Sequence, residues 1–308
     1  MNILAQQIAN GLVLGSVYAL IALGYTMVYG ILGLINFAHG EVTMMGAMIC
    51  IALVNALLAA FNFPPATAFI VAFIITIPAC MLLGMGIERI AYRPLRNAPR
   101  LAPLITAIGV SIVLQNLAMI IWGRGYQRFP DIFPQHSFIF FGATVTAVKL
   151  AIVLIAFITL AGLWLLVNRT TLGRAMRATA QNPQVAQLMG VNTNQIISAT
   201  FAIGSALGAL AGVMVAANYG QADPYMGFML GLKAFSAAVL GGIGNLAGAV
   251  VGGLLLGLIE SLGAGYLDTL TGGILGSNYQ DIFAFLVLIG VLVFRPSGLL
   301  GERVSERA

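Results

Sequence analysis

The sequence predicts an all-α fold, a polytopic transmembrane helical bundle of about 8–10 spans with broken or re-entrant elements. Three observations predict it. Hydrophobic residues fill 60% of the 308 positions and charged residues 7%, where a soluble domain carries about 25% charged. The apolar residues gather in runs long enough to cross a bilayer as helices. The runs also lack the alternation of a transmembrane β-barrel. No low-complexity tract or soluble second domain interrupts them, so residues 1–308 read as one transmembrane domain.

Nine runs are candidate spans, at roughly 9–31, 40–60, 66–87, 101–122, 147–167, 195–217, 226–241, 246–264 and 281–294. No basic residue precedes the first run, so it reads as a retained span and not as a cleaved signal peptide. Arginines set the orientation. Arg89, Arg93, Arg96 and Arg100 share one connection, Arg169, Arg174 and Arg177 another, and Arg295, Arg303 and Arg307 the tail. All three belong on the cytoplasmic side. An even number of crossings must then separate the second connection from the tail. The block 226–264 therefore splits in two, with GGIGN (Gly241 to Asn245) as an inner turn or re-entrant element. Counting backwards puts the N-terminus outside. The net charge of +5 suits anionic lipid head groups in a bilayer and does not argue for nucleic acid.

The longest polar interruption is Asn168 to Asn194, NRTTLGRAMRATAQNPQVAQLMGVNTN. Leu172, Met176 and Ala180 recur four apart, the stripe of a short amphipathic helix. Asn182 offers an N-cap and Pro183 suits the first helical position. Val185, Leu188 and Met189 make a second apolar edge, and Gly190 is placed to stop it. Two short helices with small and apolar edges fit either a docking surface or a solvated loop.

Other features carry two readings each. Gly204, Gly208 and Gly212, and likewise Gly244, Gly248 and Gly252, recur every fourth residue, as do Gly253 and Gly257. Such stripes let helix backbones approach closely, and they also suit helices that must shift in a transporter. The outer segment Gly123 to Lys149 holds Tyr126, Phe129, Phe133, Phe138, Phe140 and Phe141, an interface belt or a docking face. Asn36, His39 and Glu41 lie beside an apolar run, where polar groups are costly unless paired or wet. Either Asn36 caps the second helix with Glu41 in its first turn, or the cluster lines a translocation path. Gln115 and Asn116, mid-span, either line a path or bond across helices. Glu260 and Lys233 are expected to reach the outer interface. Cys50 and Cys80 fall in apolar runs, which argues against a disulfide.

Absences narrow the chemistry. Lys149 precedes Leu150 and Lys233 precedes Ala234, so neither belongs to a nucleotide-binding Gly-Lys-Ser/Thr loop. HExxH is missing, which disfavours a zinc intramembrane protease. His39 and His136 have no second ligand at helical spacing, so no metal site is expected. Few acidic residues lie in the spans, which argues against an ion-coupled relay.

Several segments together resemble the branched-chain amino acid ABC transporter permeases of the LivH type. They are Gly11 to Glu41, Ile87 to Arg96, Leu172 to Asn192, Lys233 to Glu260 and the RPSGLLG tail, Arg295 to Gly301. The likeness runs nearly end to end, and Gly123 to Lys149 departs from it most. It implies one permease domain in the bacterial inner membrane, with no covalent chemistry and no cofactor of its own. It also implies a second related permease, two ATP-binding-cassette ATPase subunits that use ATP, and a periplasmic amino-acid-binding protein. Carried over by position, Gly173, Arg174, Arg177, Asn182 and Gly190 fall in the ATPase-coupling loop. The resemblance leaves room for a related permease for urea or short amides. A stand-alone secondary transporter, a channel or an intramembrane hydrolase are the rivals from other classes.

Overall fold

The computed structural model describes residues 3–96, 98–99, 101–133, 136–140, 142–272 and 279–301. Arg100, Phe141, Arg303 and Arg307, used above, lie outside the described residues.

Each of the nine apolar runs is a helix. In order they are α1 Ile3–Leu32, α2 His39–Phe61, α3 Pro65–Ile87, α4 Leu101–Trp122 and α5 Ala147–Arg169. Two short helices follow, α6 Thr171–Gln181 and α7 Pro183–Leu188, then α8 Thr193–Tyr219, α9 Met226–Gly241, α10 Leu246–Leu270 and α11 Gln280–Phe294. A π turn (Glu88–Tyr92) and a 3-10 turn (Arg93–Leu95) continue α3. Among the described residues, seven helices are long and apolar enough to cross a membrane. With 16 and 15 residues, α9 and α11 reach only about 24 and 22 Å, short of the ~30 Å hydrocarbon core. The break expected at Gly241 to Asn245 lies between α9 and α10.

Helix α1 is the axis of the bundle. Every residue from Gly15 to Val28 is buried, because α8, α9 and α10 surround it. A helix covered on all sides is apolar all round and shows no amphipathic stripe. Apart from Gly244, which lies in the α9–α10 turn with open space about it, the glycine stripes are where helices meet closely. A Cβ on Gly257 would lie 2.2 Å from Gly15 N, and one on Gly212 2.0 Å from Thr43 O. Gly257→Val should therefore push α10 off α1 and cost about 1–3 kcal/mol. A thermal melt in detergent checks it, and a wild-type melting temperature would contradict this packing.

Hydrogen bonds fix the two sides. Gln6, near the start of α1, bonds the Thr144 backbone, its Oε1 accepting from N–H at 2.8 Å, and Lys149 Nζ donates to Asn10 Oδ1 at 2.8 Å. The N-terminal end of α1 thus lies on the same side as Gly123 to Lys149, as the charge count required. At the other end, Gly242 turns at φ +108, a left-handed conformation that glycine adopts freely. Asn245 then caps α10 by accepting from Gly248 N at 3.1 Å. The tail folds onto this turn, with Leu299 N–Leu240 O and Leu300 N–Gly241 O both at 2.9 Å.

The outer segment contains strand structure that the sequence reading did not anticipate. Strands β2 (Ser137–Phe140) and β3 (Ala143–Thr146) form a hairpin, and β1 (Gln127–Arg128) pairs with β4 (Gln221–Ala222). Its aromatic residues divide. Phe129 and Phe133 pack on Phe69 of α3, at ring separations of 6.0 and 5.1 Å, while Tyr126 and Phe138 are exposed.

Candidate functional site

The polar interruption folds as a capped two-helix elbow. Thr170 starts α6 by accepting from Gly173 N at 3.1 Å. Gly173 sits so close to α5 that a Cβ would lie 2.1 Å from Val167 O. Asn182 starts α7, its Oδ1 accepting from Gln184 N (3.0 Å) and Val185 N (3.1 Å). Gly190, at φ +84, ends α7 with paired bonds, Gly190 N–Gln187 O and Val191 N–Ala186 O, both 3.0 Å. That is a Schellman closure. Asn168 and Asn194 belong to α5 and α8 themselves, so the non-spanning part runs from Thr170 to Asn192.

One expectation about this loop needs correction. The buried row of α6 is Gly173, Met176 and Thr179, while Ala180 is exposed. Three-residue steps follow the face against α5 and α8 better than a strict spacing of four. Arg177, on the same helix, is tied to the end of α5. Its guanidinium donates to Val167 O, closing the α5 C-terminus, where a cation is favoured. Arg174 remains exposed. So does the tip of α7, where Leu188 and Met189 are 86% and 80% exposed. Underneath, Met176 and Arg177 share a small cavity with Thr26 of α1 and Gly244 of the α9–α10 turn. A push on α6 therefore meets the inner end of the central helix.

The Asn36–Glu41 cluster divides into two nodes. Asn36 does not cap α2, whose N-cap Ala38 makes no side-chain bond. Its Oδ1 instead accepts from Tyr92 Oη at 2.8 Å, a distant hydroxyl that outcompetes the local cap. Beside it, fully buried Glu88 accepts from Arg93 Nη2 (2.9 Å) and Ser198 Oγ (2.6 Å) and pairs with Arg96. This node pins the inner loop to α8. Tyr92→Phe should leave Asn36 without its donor and cost about 1–3 kcal/mol. An unchanged melting temperature would contradict the bond.

His39 and Glu41 form the second node, 2% and 1% exposed. Tyr25 meets the His39 ring edge-on at 4.9 Å, and Ser111 Oγ donates to Glu41 Oε1 at 3.1 Å. Among the described residues His39 Nε2 and Glu41 Oε2 have no hydrogen-bond partner. Glycines make room for both: a Cβ on Gly24 would lie 2.2 Å from His39 Nε2, and one on Gly227 2.4 Å from Glu41 Oε2. The first turns of α2 and α9 thus meet inside the bundle, level with the body of α1. Asn116 is not part of this node. It is exposed on α4 and bonds its own helix at Ile112 O, 2.8 Å, not a neighbouring one. Gln115 is partly buried. Ser111, one turn before Gln115 on the same face, is the α4 residue that joins the cluster; its spacing to Gln115 was the available signal.

Lys233 and Glu260 do not reach for the interface. Lys233 Nζ lies 2.8 Å from Glu260 Oε1 and 2.8 Å from Asp281 Oδ1, and Tyr18 Oη donates to Glu260 Oε2 at 2.9 Å. The short helices α9 and α11 are thereby tied to α10 and α1. Glu260 also lines an outward cavity of about 340 Å³ together with Lys149 and Asn10.

The family of permease components of branched-chain amino acid transport systems matches residues 7–292. The chain is 45% identical to the high-affinity branched-chain amino acid transport system permease protein BraD of Pseudomonas aeruginosa, over 98% of this chain and 97% of that one. It is 42% identical to the LivH permease protein of Escherichia coli K12, over the same shares. A weaker likeness is to the autoinducer 2 import system permease protein LsrC of Escherichia coli O9:H4, 33% identical over 62% of this chain and 55% of that one. No solved structure matches.

Proposed function

The chain belongs to the family of branched-chain amino acid transport permeases, and from that premise we propose that it imports leucine, isoleucine, valine or related amino acids across a bacterial inner membrane. The near full-length identity to BraD and LivH carries the reading. In it, two ATP-binding-cassette subunits hydrolyse ATP, a second permease completes the pathway, and a periplasmic binding protein delivers substrate. The elbow of α6 and α7, with Gly173, Arg174, Asn182 and Gly190, is the coupling element, and Arg177 holds it to α5. Its rigid caps suit a part that passes on a partner's closure as a push. His39 and Glu41, buried where α2 and α9 begin, are the path residues best placed to be uncovered when those helices move.

Uptake of labelled leucine into cells lacking the chain, restored by its expression, tests this. Excess unlabelled leucine should compete and urea should not. Restored uptake of labelled urea and not of labelled leucine would replace the reading with an amide permease. Uptake driven by an ion gradient in vesicles containing only this chain would replace it with a secondary transporter.

A further inference from the structure

We propose that the outward cavity between α1, α5, α8 and α10 holds the zwitterionic head of the transported amino acid, with the α-ammonium at Glu260 and the α-carboxylate at Lys149. The inference rests on the function proposed above and adds a site to it.

The argument starts from charge. Lys233 faces two carboxylates, Glu260 and Asp281, so the buried cluster keeps a formal charge of −1 when all three are ionised. A net charge taken out of water is costly unless a partner offsets it. Of the three, Glu260 is the one that lines the cavity, with Oε1 at Lys233 and Oε2 accepting from Tyr18. On the same cavity, Lys149 Nζ contacts a neutral amide oxygen, Asn10 Oδ1, at 2.8 Å. It takes part in no ion pair among the described residues.

One cavity is therefore lined by a carboxylate from a net-negative cluster and by an ammonium with no carboxylate partner among the described residues. An α-amino acid presents the complementary pair, and charge-assisted bonds to both ends are the strong ones. Urea and short amides carry neither charge. Val13 and Leu14 line the cavity too, offering apolar surface to a branched side chain. At about 340 Å³, and sharing Lys149 and Asn218 with a neighbouring cavity of about 440 Å³, it falls in the range of small-ligand sites. Gln6, Asn10 and Lys149 tie it to the outer segment, the side from which substrate arrives.

Maleimide labelling of an Asn218→Cys variant tests the site in right-side-out vesicles carrying the complete transporter. Native Cys50 and Cys80 are buried. Leucine should slow labelling; urea and 4-methylpentanoate, which lacks the ammonium, should not. In the Asn218→Cys background, Glu260→Gln and Lys149→Met should each raise the leucine concentration for half-protection about tenfold or more. The Lys149 variant stands by itself if the Glu260 variant fails to insert. Leucine protection unchanged in the variants would overturn the site. So would an absence of protection while the unsubstituted chain takes up leucine, and the proposed function would then survive. Absence of leucine uptake by the unsubstituted chain would instead sink the proposed function.

Discussion

Lys233→Met is expected to destabilise the folded chain by about 3–5 kcal/mol, the cost of removing one partner from a buried ion pair. The substitution leaves Glu260, 3% exposed, with only the Tyr18 hydroxyl, and it places two carboxylates near one another with no cation between them. Asp281 is 30% exposed, so solvent relieves part of its charge and the lower end of the range is the better figure. The helices most affected are α9 and α11, too short to span by themselves and held to α10 by this cluster. Melting of the purified chain in detergent, followed by size-exclusion chromatography, measures the loss. The triple variant Lys233→Met, Glu260→Gln, Asp281→Asn should recover most of it, since no buried charge is then unpaired. A single variant as stable as the parent would contradict the ionic link.

The second large effect is expected at the elbow. Leu188→Glu combined with Met189→Glu should abolish substrate uptake while leaving the amount of inserted protein unchanged. Both side chains are almost fully exposed, so the folded chain loses no packing. If they are anchors in a partner's groove, each is worth about 2 kcal/mol or more on truncation, and together they weaken association by roughly a thousandfold. Arg174→Glu should add to the loss by reversing charge at an exposed position. Arg177→Glu is a poorer test, because Arg177 also closes α5 through Val167 O and its loss mixes folding with coupling. Normal uptake in the Leu188/Met189 variant would remove the elbow from the coupling role.

Much of this architecture is legible in the sequence because it is local. Seven of the nine apolar runs end within two residues of their helices, since hydrophobic length sets them, while α1 begins six residues earlier and α10 ends six residues later than its run. Asn182, Pro183 and Gly190 act within one turn of themselves, and each does what its residue type favours. The glycine stripes gave close packing correctly except at Gly244, which lies in the turn before α10 with open space about it, and they did not show which helix they meet. What the sequence could not show is pairing across distance. Glu260 is 242 positions from Tyr18 and 27 from Lys233, and nothing in one chain's pattern says that those faces meet. Asn36 was legible as a cap because caps are local, and the hydroxyl of Tyr92, 56 positions on, took it instead. The strands of the outer segment were hidden by their brevity and by the aromatic residues around them.

The most direct test of the chain as the membrane subunit of an ATP-driven importer is purification from native membranes in mild detergent, with its partners identified by mass and ATPase activity assayed. The expected result is recovery with two P-loop chains and a second permease, and hydrolysis that rises when a leucine-loaded binding protein is added. Recovery of the chain alone, with no ATPase activity in the fraction and leucine uptake retained in vesicles of the purified chain, would contradict it.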